Sequence, residues 1–104
     1  MFDIFNEPVE FEWDDGNRDK NWIKHKVSCR EAEDVFVNKP LLLGDNPKSG
    51  LDEKRYQAMG ITDKGRLLFI IFTVRKGRVR IISARDMDRK EEKIYEEAKK
   101  TASL

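Results

Sequence analysis

The sequence predicts one α+β domain, in which an antiparallel-rich central sheet is packed by helices and the element order is β-α-α-β-β-β-α. Two observations indicate this fold. The run from Leu67 to Phe72 is apolar at every position and lies between two glycine-bearing turns, as expected of a central strand. Segments with apolar residues every three or four positions come before and after the strands, as in helices that pack on a sheet.

The chain of 104 residues has the length of one domain, and we expect residues 1–104 to form it. Within it, residues 1–8 are predicted to be an N-terminal extension and residues 97–104 the end of the last helix with a tail.

The first part of the chain predicts a strand and two helices. From Val9 to Trp13 apolar and acidic residues alternate, which is typical of a strand with one buried face. Asn17 to Lys26 predicts a weakly amphipathic helix. Ser28 and Glu31 have the spacing of a capping box, so a second helix is expected from Ser28 to Val37.

The second part predicts a loop, three strands and a helix. Residues 38–52 are rich in Gly, Pro, Asn and Asp, which indicates a long loop with room for a short strand. The strands that follow are Lys54 to Thr62, Leu67 to Arg75 and Arg78 to Arg85. Asp88 is suited to be the N-cap of a last helix, which is expected to end near Thr101.

Charge is distributed unevenly along the chain, although the net charge is only +1. Residues 1–16 hold six acids and no base: Asp3, Glu7, Glu10, Glu12, Asp14 and Asp15. Residues 64–90 hold nine bases: Lys64, Arg66, Arg75, Lys76, Arg78, Arg80, Arg85, Arg89 and Lys90. One end of the protein could therefore hold phosphate, or these charges could form a solvated strand edge and turn.

The composition also excludes several classes of protein. The single cysteine, Cys29, cannot form an internal disulfide, and with His25 as the only histidine there is no cluster at zinc-ligand spacing. We expect neither a metal nor another cofactor. No apolar run approaches the length of a membrane span and no signal peptide opens the chain, so a cytoplasmic protein without membrane association is expected.

Several segments resemble one known family at matching spacing, from about Glu10 to Glu96. They are Phe11-Glu12-Trp13-Asp14, Asn21 with Lys24-His25, Val27-Ser28, Ala32, Val35-Phe36, Glu53, Arg55-Tyr56, Gly60, Gly65-Arg66-Leu67-Leu68, Arg80-Ile81-Ile82-Ser83-Ala84-Arg85, and Glu91 with Tyr95. The run from Arg80 to Arg85 is the most specific of these. On these residues the chain resembles the BrnT toxins of bacterial toxin-antitoxin pairs.

The resemblance implies a fold like that of the RelE ribonuclease toxins, RNA cleavage that arrests translation, and neutralisation by a BrnA-like antitoxin. Such an antitoxin has a ribbon-helix-helix domain, so operator DNA would be reached only through it, and a dimer of toxins is one arrangement within the complex. We expect the antitoxin to lie across the basic surface, with Arg80, Arg85 or Arg89 among its contacts.

Three places depart from the family pattern. Lys26 stands where the family usually has Gly, Asn38-Lys39-Pro40 replaces a usual Asp-Pro turn, and Asp86-Met87-Asp88 with Glu92 is more acidic than the usual basic stretch.

RNA cleavage without a metal needs a base, an acid and fixed positive charge on the phosphorane-like transition state. Arg80 and Arg85 are predicted to supply the charge, because a guanidinium stays charged and can bind two phosphate oxygens. His25 is predicted as the proton-transfer group, since its pKa is ordinarily near neutral. Each has a structural alternative: Arg80 could pair with Glu91 or Glu53, and His25 could complement the dipole of a helix.

Regular alternation on the last strand predicts Arg80, Ile82 and Ala84 on one face, and Val79, Ile81, Ser83 and Arg85 on the other. Further residues are predicted to bind RNA: Lys24, Arg55, Tyr56 and Arg89. Supporting roles are predicted for Glu53, Ser83 and Glu91. Arg55 and Tyr56 are consecutive in a strand, so one of them could reach substrate while the other packs.

Three functions remain open on the sequence. The first is a ribonuclease toxin. The second is a binding module that grips a protein or nucleic acid and breaks no bond. The third is an inactive relative that keeps only the antitoxin-binding surface, an alternative suggested by the acidic residues between Asp86 and Glu92. A neighbouring open reading frame for a ribbon-helix-helix protein would favour the first and third.

Overall fold

The computed structural model describes residues 9–47 and 53–102. The elements in chain order are β1 (Glu10–Glu12), α1 (Asp15–His25), α2 (Cys29–Val37), β2 (Leu42–Asp45), β3 (Tyr56–Ile61), β4 (Leu67–Arg75), β5 (Arg78–Asp86) and α3 (Arg89–Ala102). The predicted α+β class is confirmed. The extension predicted for residues 1–8 lies outside the described residues, as do residues 103–104 at the end of the predicted tail.

The strands form one five-stranded sheet in the order β1-β5-β4-β3-β2. β4 is the central strand, as its two apolar faces predict. β1 runs parallel to β5 and the other neighbours are antiparallel. The predicted element order is wrong by one strand, because Leu42 and Leu43 pair with Met59 and Ala58 and so add β2 at the edge.

Both predicted helix caps are present. The Ser28 hydroxyl accepts from the Glu31 N–H at 3.1 Å, and the Glu31 carboxylate accepts from the Ser28 N–H at 3.0 Å. Asp88 and Glu91 make the same reciprocal pair at the start of α3, at 2.8 and 2.9 Å. These bonds occupy N–H groups that have no partner inside a helix.

The sheet buries different cores on its two faces. α2 covers one face, while α1 packs along β5. Buried side chains from α2, from Val27 just before it and from β3, β4 and β5 form the main core on that face: Val27, Ala32, Val35, Phe36, Ala58, Leu68, Ile70, Phe72, Val79, Ile81 and Ala84. α3 covers one end of the other face, where Tyr95 packs with Met59 and Met87. The Tyr95 hydroxyl donates to the Pro40 carbonyl at 2.7 Å, which ties α3 to the chain before β2.

Two positions constrain the backbone near α1 and α2. Gly60 of β3 lies so close to α2 that an added Cβ would be 2.6 Å from Cγ1 of Val35. Lys26, just after α1, has a φ of 54°, in the left-handed region that favours glycine. The left-handed conformation gives a physical reason for the glycine that the family usually has there.

Candidate functional site

A β-bulge in β5 decides which way its arginines point. Ile71 of β4 pairs with Ser83, whereas the next residue, Phe72, pairs with Ile81, so Ile82 is the extra residue. The prediction that Arg80 and Arg85 face opposite sides is therefore wrong. Val79, Ile81 and Ala84 all join the main core, and the other side of the sheet receives Arg80, Ser83 and Arg85.

In the described part of the chain, α3 is the helix that packs on the face toward which these arginines point. It packs over one end of that face, against Met59 and Met87, with Phe69 beside them. Between the part under α3 and the β1 side, this face presents half-buried side chains that we call the open face, with Arg85 at its border with α3: Gln57, Ile71, Arg80, Ser83 and Arg85.

Arg80 binds acids of the N-terminal strand and the residues just after it. Its Nη2 donates to Oδ2 of Asp14 at 2.7 Å, and its Nη1 lies 3.7 Å from Oε1 of Glu12. The predicted partners Glu91 and Glu53 are wrong, because Glu91 pairs with Arg85 and Glu53 with Arg75.

Charge compensation continues along β1, where Glu10 lies 3.4 Å from Arg78. The acidic and basic parts of the sequence therefore lie side by side, since β1 pairs with β5. The excess of bases predicted from the sequence is largely neutralised within the fold.

Arg85 is held from two directions. Its two Nη atoms donate to the two carboxylate oxygens of Glu91 at 2.8 and 2.9 Å, and its guanidinium lies 4.5 Å from the centre of the Phe69 ring. The hydrogen bond from Arg85 holds the pKa of Glu91 below its usual value, although burial acts in the opposite direction. The same hydrogen bond raises the pKa of Arg85. The open face thus has a cation with a fixed orientation at its α3 end.

Tyr56 and Glu53 have structural contacts. Tyr56 stacks on Phe72 with ring centroids 5.5 Å apart, so its ring belongs to the side of the main core. Glu53 accepts two hydrogen bonds from Arg75, at 2.6 and 3.0 Å. Together with Lys54, Thr73 and Val74, these residues line a cavity of about 450 Å³ at the end of β4 farthest from α3.

The remaining residues predicted to bind RNA lie at different places. Lys24 and Arg89 are exposed, on the last turn of α1 and the first turn of α3, and Arg55 comes directly before β3.

His25 is the last residue of α1, which packs along β5, and its carbonyl accepts from Arg66 at 3.0 Å. The hydrogen bond from Arg66 is the main cause of the lowered pKa of Asp86, and the charge of His25 acts in the same direction. The bulge brings Arg80, Ser83 and Arg85 to one face of the sheet, whereas His25 lies on α1, outside the sheet.

Arg66 is the residue whose role the sequence did not reveal. It donates to both carboxylate oxygens of Asp86, at 2.7 and 3.2 Å, to Glu31 at 3.1 Å and to the Lys26 carbonyl at 2.7 Å. These bonds join the end of α1, the start of α2 and the end of β5. The only signal for it was its place in the family-like run Gly65-Arg66-Leu67-Leu68.

Two of the acids that depart from the family pattern, Asp86 and Asp88, have structural partners. The hydrogen bond from Arg66 lowers the pKa of Asp86 and outweighs the opposing effect of burial. Asp88 caps α3.

In the described residues, no group of three or more His, Cys, Asp or Glu side chains could hold a metal, and no helix is long and apolar enough to cross a membrane.

Cys29 is half-buried at the start of α2, and burial raises the pKa of its thiol.

Comparison with the sequence models of known protein families gives a match. The sequence model of a family described as "ribonuclease toxin, BrnT, of type II toxin-antitoxin system" matches residues 13–91. The match includes α1, α2 and all the strands except β1, together with Arg80, Arg85 and Glu91. No curated protein matches the chain.

Proposed function

Because the chain belongs to the BrnT family of ribonuclease toxins from type II toxin-antitoxin systems, we propose that it cleaves RNA on the open face, with Arg80 and Arg85 as the residues that bind the scissile phosphate. One observation carries this assignment: the bulge at Ile82 turns both arginines to the same side of the sheet, with Ser83 between them in sequence. A regular strand would have separated them.

The two arginines suit charge that develops on a phosphate. Each guanidinium already binds a carboxylate, an anion with oxygens spaced much like those of phosphate. RNA would compete with Asp14 for Arg80 and with Glu91 for Arg85. Stabilisation of the transition state would come from donors that are oriented before substrate arrives.

Other residues are assigned to RNA binding and support. Arg55, Lys24 and Arg89 are proposed to contact the RNA backbone, whereas the packing of Tyr56 on Phe72 favours a structural role for that ring. Ser83 and Glu91 are proposed to support the arginines. Glu53, bound to Arg75, is proposed to support the same end of the sheet as Arg55.

Proton transfer is proposed for His25, and this part of the assignment makes a strong demand on the RNA. A general acid or base must come within hydrogen-bond reach of the group it serves. Since His25 ends α1, which packs along β5, the RNA would have to reach from the open face to that helix. Cleavage by His25→Ala at the wild-type rate would remove His25 from the mechanism and leave the two arginines in it.

The partner proposed for this chain is a BrnA-like antitoxin with a ribbon-helix-helix domain, which would cover the open face and contact Arg80, Arg85 or Arg89. Operator DNA would be bound through the antitoxin, and two toxins could share one complex. Covering the open face would block RNA cleavage and so relieve arrest of translation.

The test is cleavage of end-labelled RNA by the purified chain, with EDTA present to test independence of metals. We expect cleavage by the wild type, and strongly reduced cleavage by Arg80→Ala and Arg85→Ala proteins that still unfold cooperatively and still bind the antitoxin. Wild-type cleavage by both folded variants would refute the assignment.

A second function is favoured by the acids around Arg80. Glu12 and Asp14 neutralise this arginine, as would suit an inactive relative that binds only its antitoxin. In that case the wild-type chain would bind antitoxin and cleave no RNA. The Asp14→Asn variant, which lacks the acid nearest to Arg80, would also cleave no RNA.

A further inference from the structure

Asn21 contacts the bulged strand from α1. Its side-chain oxygen accepts from the backbone N–H of Ala84 at 3.1 Å, and its side chain is buried, with 2% of the residue exposed. Ala84 lies two residues after Ile82, the extra residue of the bulge, and directly before Arg85. The side-chain amide of Asn21 therefore holds β5 just after the bulge, where the alternation of side chains between the two faces has shifted by one residue.

The outer side of β5 explains why this contact is needed. β1 pairs with β5 only from Arg78 to Arg80, so beyond Arg80 the structure describes no strand on that side. α1 packs there instead, and Asn21 provides an acceptor for a buried backbone N–H. A buried N–H group without an acceptor is strongly disfavoured. Residues Ser83 to Arg85 are thus fixed from one side by β4 and from the other by Asn21.

We propose that Asn21 is a positioning residue for the RNA-cleavage site: it holds the strand after the bulge so that Arg85 shares the open face with Arg80. The catalytic part of this inference rests on the function proposed above. Apolar packing of Ile81 and Ala84 favours the bulged register, and Asn21 sets the position of the backbone within that register.

The test compares Asn21→Leu, which removes the acceptor, with Asn21→Asp, which keeps an oxygen acceptor. Thr62→Val is the matched control, because Thr62 is also buried and its hydroxyl accepts a backbone N–H, that of Arg66, at 3.0 Å, away from the open face. The structural readout is the NMR shift of the Arg85 side chain, which the ring of Phe69 at 4.5 Å displaces. This readout does not depend on activity.

In Asn21→Leu we expect the Arg85 resonance to move toward its value in an unfolded peptide, and kcat to fall by about tenfold to a hundredfold with a smaller change in KM. Asn21→Asp should have the wild-type Arg85 resonance and the wild-type kcat. Thr62→Val should also leave both unchanged. An unchanged Arg85 resonance in folded Asn21→Leu would overturn the proposal. A shifted resonance with unchanged cleavage would support the positioning by Asn21 and refute the catalytic role of Arg85.

Hydrogen exchange of the wild-type protein provides a test that needs no variant, should Asn21→Leu fail to fold. The Ala84 amide should exchange as slowly as the amides paired between β4 and β5. Rapid exchange at Ala84, beside slow exchange in those strands, would overturn the proposal.

Discussion

Arg85 and Glu91 are joined by two hydrogen bonds, one to each carboxylate oxygen, at 2.8 and 2.9 Å. The same carboxylate accepts from the N–H of Asp88 at the start of α3. One side chain of the last helix therefore both caps that helix and orients the arginine. The direction of the Arg85 guanidinium is set by the fold before any substrate binds.

This geometry predicts that Arg85→Lys loses most of the RNA cleavage although it keeps the charge, because lysine lacks the two-pronged donor. We expect the rate to fall by about a hundredfold to a thousandfold, or roughly 3 to 4 kcal/mol in transition-state stabilisation. Single-turnover cleavage of RNA measures the rate of each protein. Arg78→Lys, at an exposed arginine paired with Glu10, is the control and should cleave as the wild type does. Equal rates for all three proteins would contradict the prediction.

A second prediction concerns Asp14, which lies 2.7 Å from Arg80. Asp14→Asn should raise RNA affinity and steepen the slope of log K against log salt by about 0.7, because one more cation becomes available to a single strand. The free energy of unfolding should change by less than about 1 kcal/mol, as is usual for exposed pairs.

Fluorescence anisotropy of labelled RNA at several salt concentrations measures that slope. Asp45→Asn is the matched control, since it removes the same charge from a surface pair with Lys54. If the two variants gave the same slope, neutralisation of Arg80 by Asp14 would have no bearing on RNA binding.

A third prediction follows from Asp86, Glu91 and Glu31, whose pKa values all lie below normal. Hydrogen bonds from Arg66 and Arg85 lower the first two. Burial alone would raise the pKa of Glu31, but bonds from the Ser28 N–H and from Arg66 outweigh it. The folded protein then binds fewer protons than the unfolded chain in mildly acid solution.

Stability from these carboxylates should be complete above about pH 4.5 and be lost as the pH falls through the lowered pKa values. Urea unfolding at pH 7 and pH 3 measures the loss. Arg66→Gln removes the partner of Asp86 and one partner of Glu31, so it should be less stable at pH 7 and lose less on acidification. An equal loss in both proteins would show that Arg66 is not the cause.

A fourth prediction concerns the close approach of Gly60 to α2. Gly60→Ala should lower the free energy of unfolding by about 1 to 3 kcal/mol, because its Cβ would be 2.6 Å from Cγ1 of Val35. At Gly44 an added Cβ would be 3.7 Å from the nearest atom, so Gly44→Ala should be nearly neutral. Urea unfolding measures the free energy of unfolding of the two variants. Similar losses of stability in both would mean that α2 can move away from Gly60.

The fifth prediction concerns the left-handed backbone at Lys26. Lys26→Gly should be more stable than Lys26→Ala by about 1 kcal/mol, because both lose the ammonium group over the Trp22 ring and only alanine keeps the unfavourable φ. Thermal unfolding compares them. A more stable alanine variant would indicate that this turn relaxes to a negative φ.

Much of the fold could be predicted because its signals are local. The apolar run in β4 reveals a strand buried on both faces, and Ser28 with Glu31 marks the start of a helix. Where β2 lies, the sequence predicted a long loop with room for a short strand. The strand could not be predicted more firmly, because its pairing with β3 depends on residues more than ten positions away. The parallel pairing of β1 with β5 has no local signal either.

The residues of the candidate site stay a prediction, whereas the geometry predicted for them is wrong. Strict alternation placed Arg80 and Arg85 on opposite faces, and the bulge brings them to one. The odd spacing between them was the available signal: a regular strand would bury one guanidinium in the main core, which is costly, and a bulge avoids that. The partners of these arginines could not be predicted, because ion pairing depends on which strands become neighbours.

The pairing of Arg80 with Asp14 joins residues 66 positions apart, through a parallel contact between the first and last strands. During synthesis the acids of β1 leave the ribosome long before the strand they neutralise. Neutralisation of Arg78 and Arg80 therefore requires that β1, the first described strand, docks on β5, the last strand to be made.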